Sequence, residues 1–277
     1  MTTITASAVN KLRQMTGAGM MDCKKALQES NGDMDGAVDI LRKKGAAKAA
    51  KRADREAAEG LSIAKSSYDN TYGIVVEVNC ETDFVAKNDD FVAFANQVAD
   101  FALTNQFADK DALLGAAFEG KTLGEICVDK TAVIGEKVEV SNYALLSSEG
   151  VAAYNHGANR IGVLVALNSA SDDALQAGRD LAMQIAAMNP IAVDENAVSQ
   201  EVKDKELEIG RDIAKQEGKP EEMLDRIAQG KLKRFFKDNT LMNQSYVKDG
   251  SMTVSAFLES VSPDLEVKSF ERFQLGA

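Results

Sequence analysis

The sequence predicts an α+β protein: an N-terminal three-helix bundle, a two-part core with related subdomains, and an inserted antiparallel helical hairpin. Apolar residues recur at helical spacing between turn residues near the N-terminus. Two β-branched runs of one plan, Gly73–Asn79 and Gly162–Asn168, each precede a helix. Gly218-Lys219-Pro220 joins two amphipathic stretches farther on.

Taken in order, Val9, Leu12 and Met15 form one helical face, which Thr16-Gly17-Ala18-Gly19 breaks. A second short helix has Met21, Cys23, Ala26 and Leu27 as apolar positions, with Met21 at least half inward and Met20 more exposed. Asn31-Gly32 turns the chain, and Asp33 is a good N-cap for a third helix carrying Ala37, Val38, Ile40 and Leu41. So small a bundle is marginal alone and suits a module that docks on something. Residues 42–55 are basic: Arg42, Lys43, Lys44, Lys48, Lys51, Arg52 and Arg55 stand against Asp54 alone. This reads as a solvated helical linker, or alternatively as a patch for an acidic partner. No aromatic residue interleaves it, which argues against stacking on nucleic acid.

The core repeats itself. The two β-branched runs are followed by polar loops and helices, in which Ala95-Asn96-Gln97-Val98-Ala99 matches Ala182-Met183-Gln184-Ile185-Ala186. Further strands are expected around Lys137–Leu146, Val151–His156 and Leu265–Gln274. In the hairpin, Val202, Ile209 and Ile213 line one face with Leu207 beside it. The second helix carries Met223, Leu224, Ile227, Leu232, Phe235 and Phe236. Such a pair must pack on the core or on another protein. The expected domains are 1–56 (helical, with the basic linker), 57–148 (core subdomain N), 149–192 with 240–277 (core subdomain C), and 193–239 (the hairpin).

Composition narrows the chemistry. The chain has 277 residues, 45% hydrophobic and 27% charged, with a net charge of −11. A surface that acidic repels phosphate backbones, so general nucleic-acid binding is not expected. No apolar run approaches the roughly 20 residues that cross a bilayer, so no membrane association is expected. Met1–Asn10 lacks the features of a signal peptide, which points to a cytoplasmic protein. Cys23, Cys80 and Cys127 are odd in number and widely spaced, which suits a reducing compartment and offers no zinc spacing. His156 is the only histidine, so a His-based metal cluster cannot be built within one chain. Neither a P-loop nor a dinucleotide fingerprint is present. No cofactor or metal is expected, and conventional catalytic equipment is scarce.

The sharpest local feature follows the first repeat strand: Asn79-Cys80-Glu81-Thr82-Asp83-Phe84-Val85-Ala86-Lys87-Asn88. Periodicity alone folds Phe84 and Val85 inward to cap the next helix, with Asp83 or Thr82 as its N-cap. The alternative is an exposed Asp-Phe projection.

Glu81-Thr82-Asp83-Phe84-Val85-Ala86-Lys87 resembles a signature of the bacterial translation elongation factor Ts family. Leu12-Arg13, continuing through Thr16-Gly17-Ala18-Gly19-Met20-Met21-Asp22-Cys23-Lys24-Lys25-Ala26-Leu27, is similar to the family's other signature. So is Tyr154-Asn155-His156-Gly157 followed by Arg160-Ile161-Gly162-Val163-Leu164-Val165. The three motifs fall in the family's order and span most of the chain.

The resemblance implies a guanine-nucleotide exchange factor for elongation factor Tu, met in its GDP-bound and nucleotide-free forms, acting without covalent chemistry. It implies a UBA-like N-terminal domain, a two-part α+β core and a coiled-coil hairpin often used for homodimerisation. It implies that Asp83 and Phe84, flanked by Thr82 and Val85, push into the GTPase domain and disturb its bound magnesium. Arg13, Met20 and Met21 match positions that touch the same GTPase. His156 matches a position near that contact, although its residue type also fits a satisfied histidine between strands. The family commonly continues into a C-terminal helix, whereas this sequence stops at Gln274-Leu275-Gly276-Ala277, so the expectation is a member without that module or a shortened sequence. Two other readings stand beside this one. One is a docking adaptor that uses the three-helix module without affecting nucleotide release. The other is an enzyme with a carboxylate or cysteine site in the core, although nothing basic closely precedes Cys80.

Overall fold

The computed structural model describes residues 4–277. The chain packs as two compact units, the first holding the residues up to Ile63, Val76–Ala144 and Gln274–Ala277, and the second holding Ala64–Val75 and Leu145–Phe273.

The first unit opens with α1 (Ala6–Thr16), α2 (Met20–Glu29) and α3 (Met34–Ala50). Thr5 caps α1 and Asp33 caps α3, each accepting a backbone N–H, as short polar side chains do at helix starts. Val9, Leu12, Cys23, Ala26, Leu27 and Ala37 form the small core of this bundle. The third helix runs unbroken to Ala50, so the basic stretch is helical that far. One expectation changes here. Met15 shares the spacing of Val9 and Leu12 but is exposed: at the last turn of α1 it lines an open cleft rather than the bundle core.

β1 (Glu59–Ser66) and β2 (Tyr72–Cys80) follow, then the single turn α4 (Asp83–Ala86), α5 (Asp89–Asn105) and α6 (Lys110–Gly115). A two-stranded ribbon of β3 (Ala117–Phe118) and β4 (Lys121–Thr122) leads into α7 (Leu123–Ile134), and β5 (Glu139–Ser147) completes a sheet of order β1-β2-β5. The helix α7 starts with a full capping box between Thr122 and Glu125. It packs against α3, and the two backbones come close at Gly45, where an added Cβ would stand 2.8 Å from the Cβ of Ala132.

The second unit holds β6 (Gly150–His156) and β7 (Ile161–Leu167), paired antiparallel with Gly150 opposite Leu167 and His156 opposite Ile161. It continues with α8 (Asp172–Met188), the hairpin α9 (Gln200–Gln216) and α10 (Glu221–Asn239), the ribbon β8 (Ser245–Tyr246) and β9 (Asp249–Thr253), α11 (Val254–Val261) and β10 (Val267–Gln274). Its sheet has the order β10-β7-β6. Val163, Val165 and Leu167 of β7 meet Leu181 and Ile185 of α8 and Leu258 of α11 in the core.

The strands expected near 137–146, 151–156 and 265–274 are present as β5, β6 and β10. Each repeat strand, β2 and β7, is the centre of a three-stranded sheet and precedes a long helix. The α+β architecture with a helical hairpin is therefore as read from the sequence. Sequence reading passed over β1, α6, α7 and α11.

In the hairpin, Gly210, Ala214, Ala228 and Leu232 are buried between the helices. An added Cβ at Gly210 would lie 3.0 Å from the Cα of Ala228, a backbone atom that cannot rotate away. Replacing Gly210 by Val is expected to cost roughly 1–3 kcal/mol by overpacking. Hydrogen exchange should then show lost amide protection across 200–239, and unchanged protection would mean the helices tolerate a wider spacing.

Candidate functional site

The 81–88 segment is tied down at its start. The Glu81 carboxylate accepts from the Arg52 guanidinium at 2.6 Å, from Arg55 at 3.0 Å and from the Lys137 backbone N–H at 2.7 Å. Lys137 closes the ring by donating its ammonium to the Arg55 carbonyl at 3.2 Å. Burial alone would raise the Glu81 pKa, but these donors outweigh it and hold the group at about 2. Beside it, the backbone N–H and hydroxyl of Thr82 both donate to Glu136, at 3.0 and 2.7 Å. Thr82 also caps α4 by accepting from the Val85 N–H.

Between these anchors and Asn88, which caps α5, the chain makes one helical turn. Phe84 projects from it with 83% of its surface exposed. This corrects the inward reading from periodicity. That reading assumed one continuous helical phase, but the chain breaks at Lys87-Asn88 and α5 restarts with Phe91, Phe94 and Val98 as its buried face. Val85 is half-buried. Asp83 is paired with Lys87 at 2.6 Å, and that hydrogen bond holds its carboxyl below the usual carboxylate range.

Cys80 is fully buried, and burial together with the nearby Glu136 charge pushes its thiol up to about 12. It is therefore a thiol and not a nucleophilic thiolate at neutral pH. A cleft of about 300 Å³ between the bundle and α7 has a mixed lining: Met15, Val38, Leu41 and Val133 stand beside charged side chains, of which Lys48 pairs with Asp22 and Lys121 with Asp129.

Among the other residues picked from the sequence, Arg13 is exposed in the last turn of α1. Met20 and Met21 are 58% and 62% exposed in the first turn of α2. Met21 is not half inward as expected. With 3.6 residues per turn it falls on the opposite side of α2 from Cys23, Ala26 and Leu27, the face that the bundle core does not use. All of these belong to the first unit, together with Thr82, Asp83, Phe84 and Val85. His156 belongs to the second, exposed at the end of β6, with its Nδ1 3.0 Å from the Tyr154 hydroxyl. It is thus a strand-end residue rather than one enclosed between strands.

A family model described as Elongation factor TS matches residues 81–277. The chain is 51% identical over 276 residues to an elongation factor Ts of Christiangramia forsetii, covering 100% of both chains. It is 50% identical over 276 residues to that of Flavobacterium psychrophilum, again covering 100% of both. With that of Porphyromonas gingivalis it shares 44% over 275 residues, 99% of each.

The chain belongs to the elongation factor Ts family. It is a guanine-nucleotide exchange factor of translation elongation, with elongation factor Tu as its partner, and not an enzyme. Neither the cysteine nor the adaptor reading is needed for such a protein. No described helix is long and apolar enough to cross a membrane.

Sequence reasoning missed the anchors. Arg52 and Arg55 were visible only as members of a basic run, and nothing in the spacing pairs them with Glu81 or Glu136 with Thr82. The run is in part already committed, since Lys44 and Lys48 pair with Glu29 and Asp22.

The Glu81 contacts carry a pH signature. Its folded pKa lies below its ordinary value of 4.5, so the stabilisation it gives is complete above about 4.5 and is lost as the pH falls toward about 2. At neutral pH, Glu81→Gln is expected to melt below the parent protein, and the gap should close over that acid range. A gap that stayed constant down to pH 2 would show that the carboxylate charge contributes nothing.

Proposed function

We propose that the Thr82–Val85 turn enters the GTPase domain of elongation factor Tu and loosens the site that holds magnesium and the nucleotide phosphates. The carrying observation is Phe84: a large apolar ring, 83% exposed, on a turn anchored on its N-terminal side in a member of an exchange-factor family. An exposed ring on a fixed base suits an anchor that finds its pocket on a partner.

A GTPase holds GDP through backbone amides around the phosphates, a lysine, and magnesium bound partly by side-chain oxygens. An exchange factor must bind the distorted GTPase better than the GDP-bound one. By linkage, its binding weakens nucleotide affinity by the same factor. The factor accordingly meets both the GDP-bound and the nucleotide-free partner. Each tenfold gain in release needs about 1.4 kcal/mol of barrier reduction. Burying one Phe supplies roughly 1.5–3 kcal/mol, one to two decades, so larger acceleration needs the wider interface. Arg13, Met20, Met21 and His156 are proposed as that wider contact. Their exposure supports this, and the flexible thioethers of the two methionines suit an adaptable surface.

Asp83 is proposed to act on the magnesium surroundings as a hydrogen-bond acceptor, not as a metal ligand. It is ionised at neutral pH and must share or give up Lys87 to do so. The protein works in the cytoplasm, where translation takes place, and binds neither nucleic acid nor membrane; its net charge of −11 supports that reading. The bundle with its basic linker, the two core subdomains and the hairpin are proposed as its working domains. The hairpin is proposed as a homodimer surface, supported by Ile209, Ile213 and Met223, which remain 38–41% exposed on it.

Phe84→Ala should reduce stimulated release of fluorescent GDP by about 10- to 100-fold at subsaturating factor without lowering stability. Asp83→Ala should matter less once magnesium is chelated. Unchanged release with Phe84→Ala removes the ring from the mechanism, and equal loss for Asp83→Ala with and without chelator removes the magnesium link. For the hairpin, Ile209→Asp combined with Ile213→Asp should lower the sedimentation coefficient toward that of a monomer. Identical sedimentation of variant and parent would refute dimerisation there.

A further inference from the structure

Three donors converge on one carboxylate at the base of the projecting turn. Glu81 immediately precedes Thr82, and its side chain is only 14% exposed. Each of its two oxygens takes a different guanidinium, Oε1 from Arg52 and Oε2 from Arg55, while Oε1 also accepts the Lys137 N–H. Arg52 and Arg55 follow directly on α3, the last helix of the bundle that carries Met20 and Met21. The carboxylate therefore joins three stretches of the first unit: the segment after α3, the start of the turn, and the approach to β5.

We propose that Glu81 is a positioning residue for nucleotide exchange, which through Arg52 and Arg55 holds the Thr82–Val85 turn in its binding-competent form and couples it to the N-terminal helices. This rests on the reading that Phe84 enters the GTPase.

The physical case is one of pre-organisation. An exposed single turn with a phenyl ring has other conformations open to it, including ones that fold the ring back onto apolar surface. A turn has too few internal hydrogen bonds to resist this alone. Bonds between guanidinium and carboxylate are short, directional and stronger than neutral ones, so three donors on one acceptor fix the start of the turn in position and direction. Glu136 does the same for Thr82. If only a fraction of molecules holds the competent turn, apparent affinity falls by that fraction. The rate at saturation is set in the complex, where the turn is already seated.

The test is GDP release from elongation factor Tu, measured against concentration of the full-length factor. The set comprises the parent, Glu81→Gln, Arg52→Gln with Arg55→Gln, Phe84→Ala, and Glu81→Gln combined with Phe84→Ala. Glu81→Gln and the double arginine variant are expected to raise the half-saturating concentration by about tenfold while leaving the maximal rate within about twofold. On the Phe84→Ala background, Glu81→Gln should add less than about twofold, because the ring it positions is gone. A merely structural role would add in full on either background. Full additivity, or an unchanged half-saturating concentration in the folded variants, overturns the proposal. Should Glu81→Gln fail to fold, the arginine pair decides, since Arg55 lies 57% exposed at the surface and Arg52 27%. Loss of exchange by Phe84→Ala with parent-like Glu81→Gln and arginine variants overturns the positioning role alone. Parent-like exchange by Phe84→Ala overturns the reading of the turn, and the positioning role with it.

Discussion

A phenyl ring left in water forgoes roughly 1.5–3 kcal/mol that it would gain by burial, and a constraint on its backbone is one way to keep it outside. In this protein the constraint is applied just before the ring. Glu81 is tied by Arg52, Arg55 and Lys137, Thr82 is tied by Glu136, and the turn that follows is closed by the Thr82 cap. After the ring, Asn88 starts a new helix whose inward face is already filled by Phe91 and Phe94. Phe84 has no place in that core, and its exposure follows from how its neighbours are bound.

The same contacts give the basic segment its meaning. In a protein with a net charge of −11, a local excess of Arg and Lys suggests an acidic partner. Much of that partner is the protein itself. Lys44 and Lys48 return to α2 through Glu29 and Asp22, and Arg52 and Arg55 reach forward to Glu81. The pairs on α2 are largely exposed and each adds little stability. The Glu81 group is more enclosed and shares one acceptor among several donors, which gives it direction as well as attraction.

Much of this was legible in the sequence because it depends on local patterning. The caps at Asp33 and the hairpin stretches follow from residue type and period, and the repeat located both central strands. What failed depended on where a period stops. Periodicity alone turns Phe84 inward on a helical phase that does not run through Lys87-Asn88, whereas the motif resemblance points it outward. Met21 reads as inward because it is an apolar side chain suited to core packing, although its angular position on α2 lies away from Cys23, Ala26 and Leu27. The helix α7 was overlooked because most of its length is apolar without a clear polar face, yet it packs against α3 and leads to Glu136. Contacts such as Thr82 to Glu136 join residues far apart in the chain, and no spacing rule announces them.

The repeat shows how a shared plan can gain a function in one copy. In both copies the asparagine at the end of the central strand ties that strand to a neighbour: Asn79 accepts from the Ser141 hydroxyl of β5, and Asn168 exchanges bonds with the backbone leading into β10. In the second copy β7 ends at Leu167 and α8 starts at Asp172, with Ser171 as a plain cap. In the first, β2 ends at Cys80 and α5 starts only at Asp89, and the longer connection holds the turn with Phe84. The helices diverge in the complementary sense. Gln184 of α8 is fully buried and bonded to Gln244 and to the Val247 N–H, whereas its counterpart Gln97 is exposed. One copy turns its polar residues inward to hold later segments of the chain. The other extends its connection outward, and because the strand and helix on either side keep the common plan, the added residues can project without disturbing the sheet that carries them.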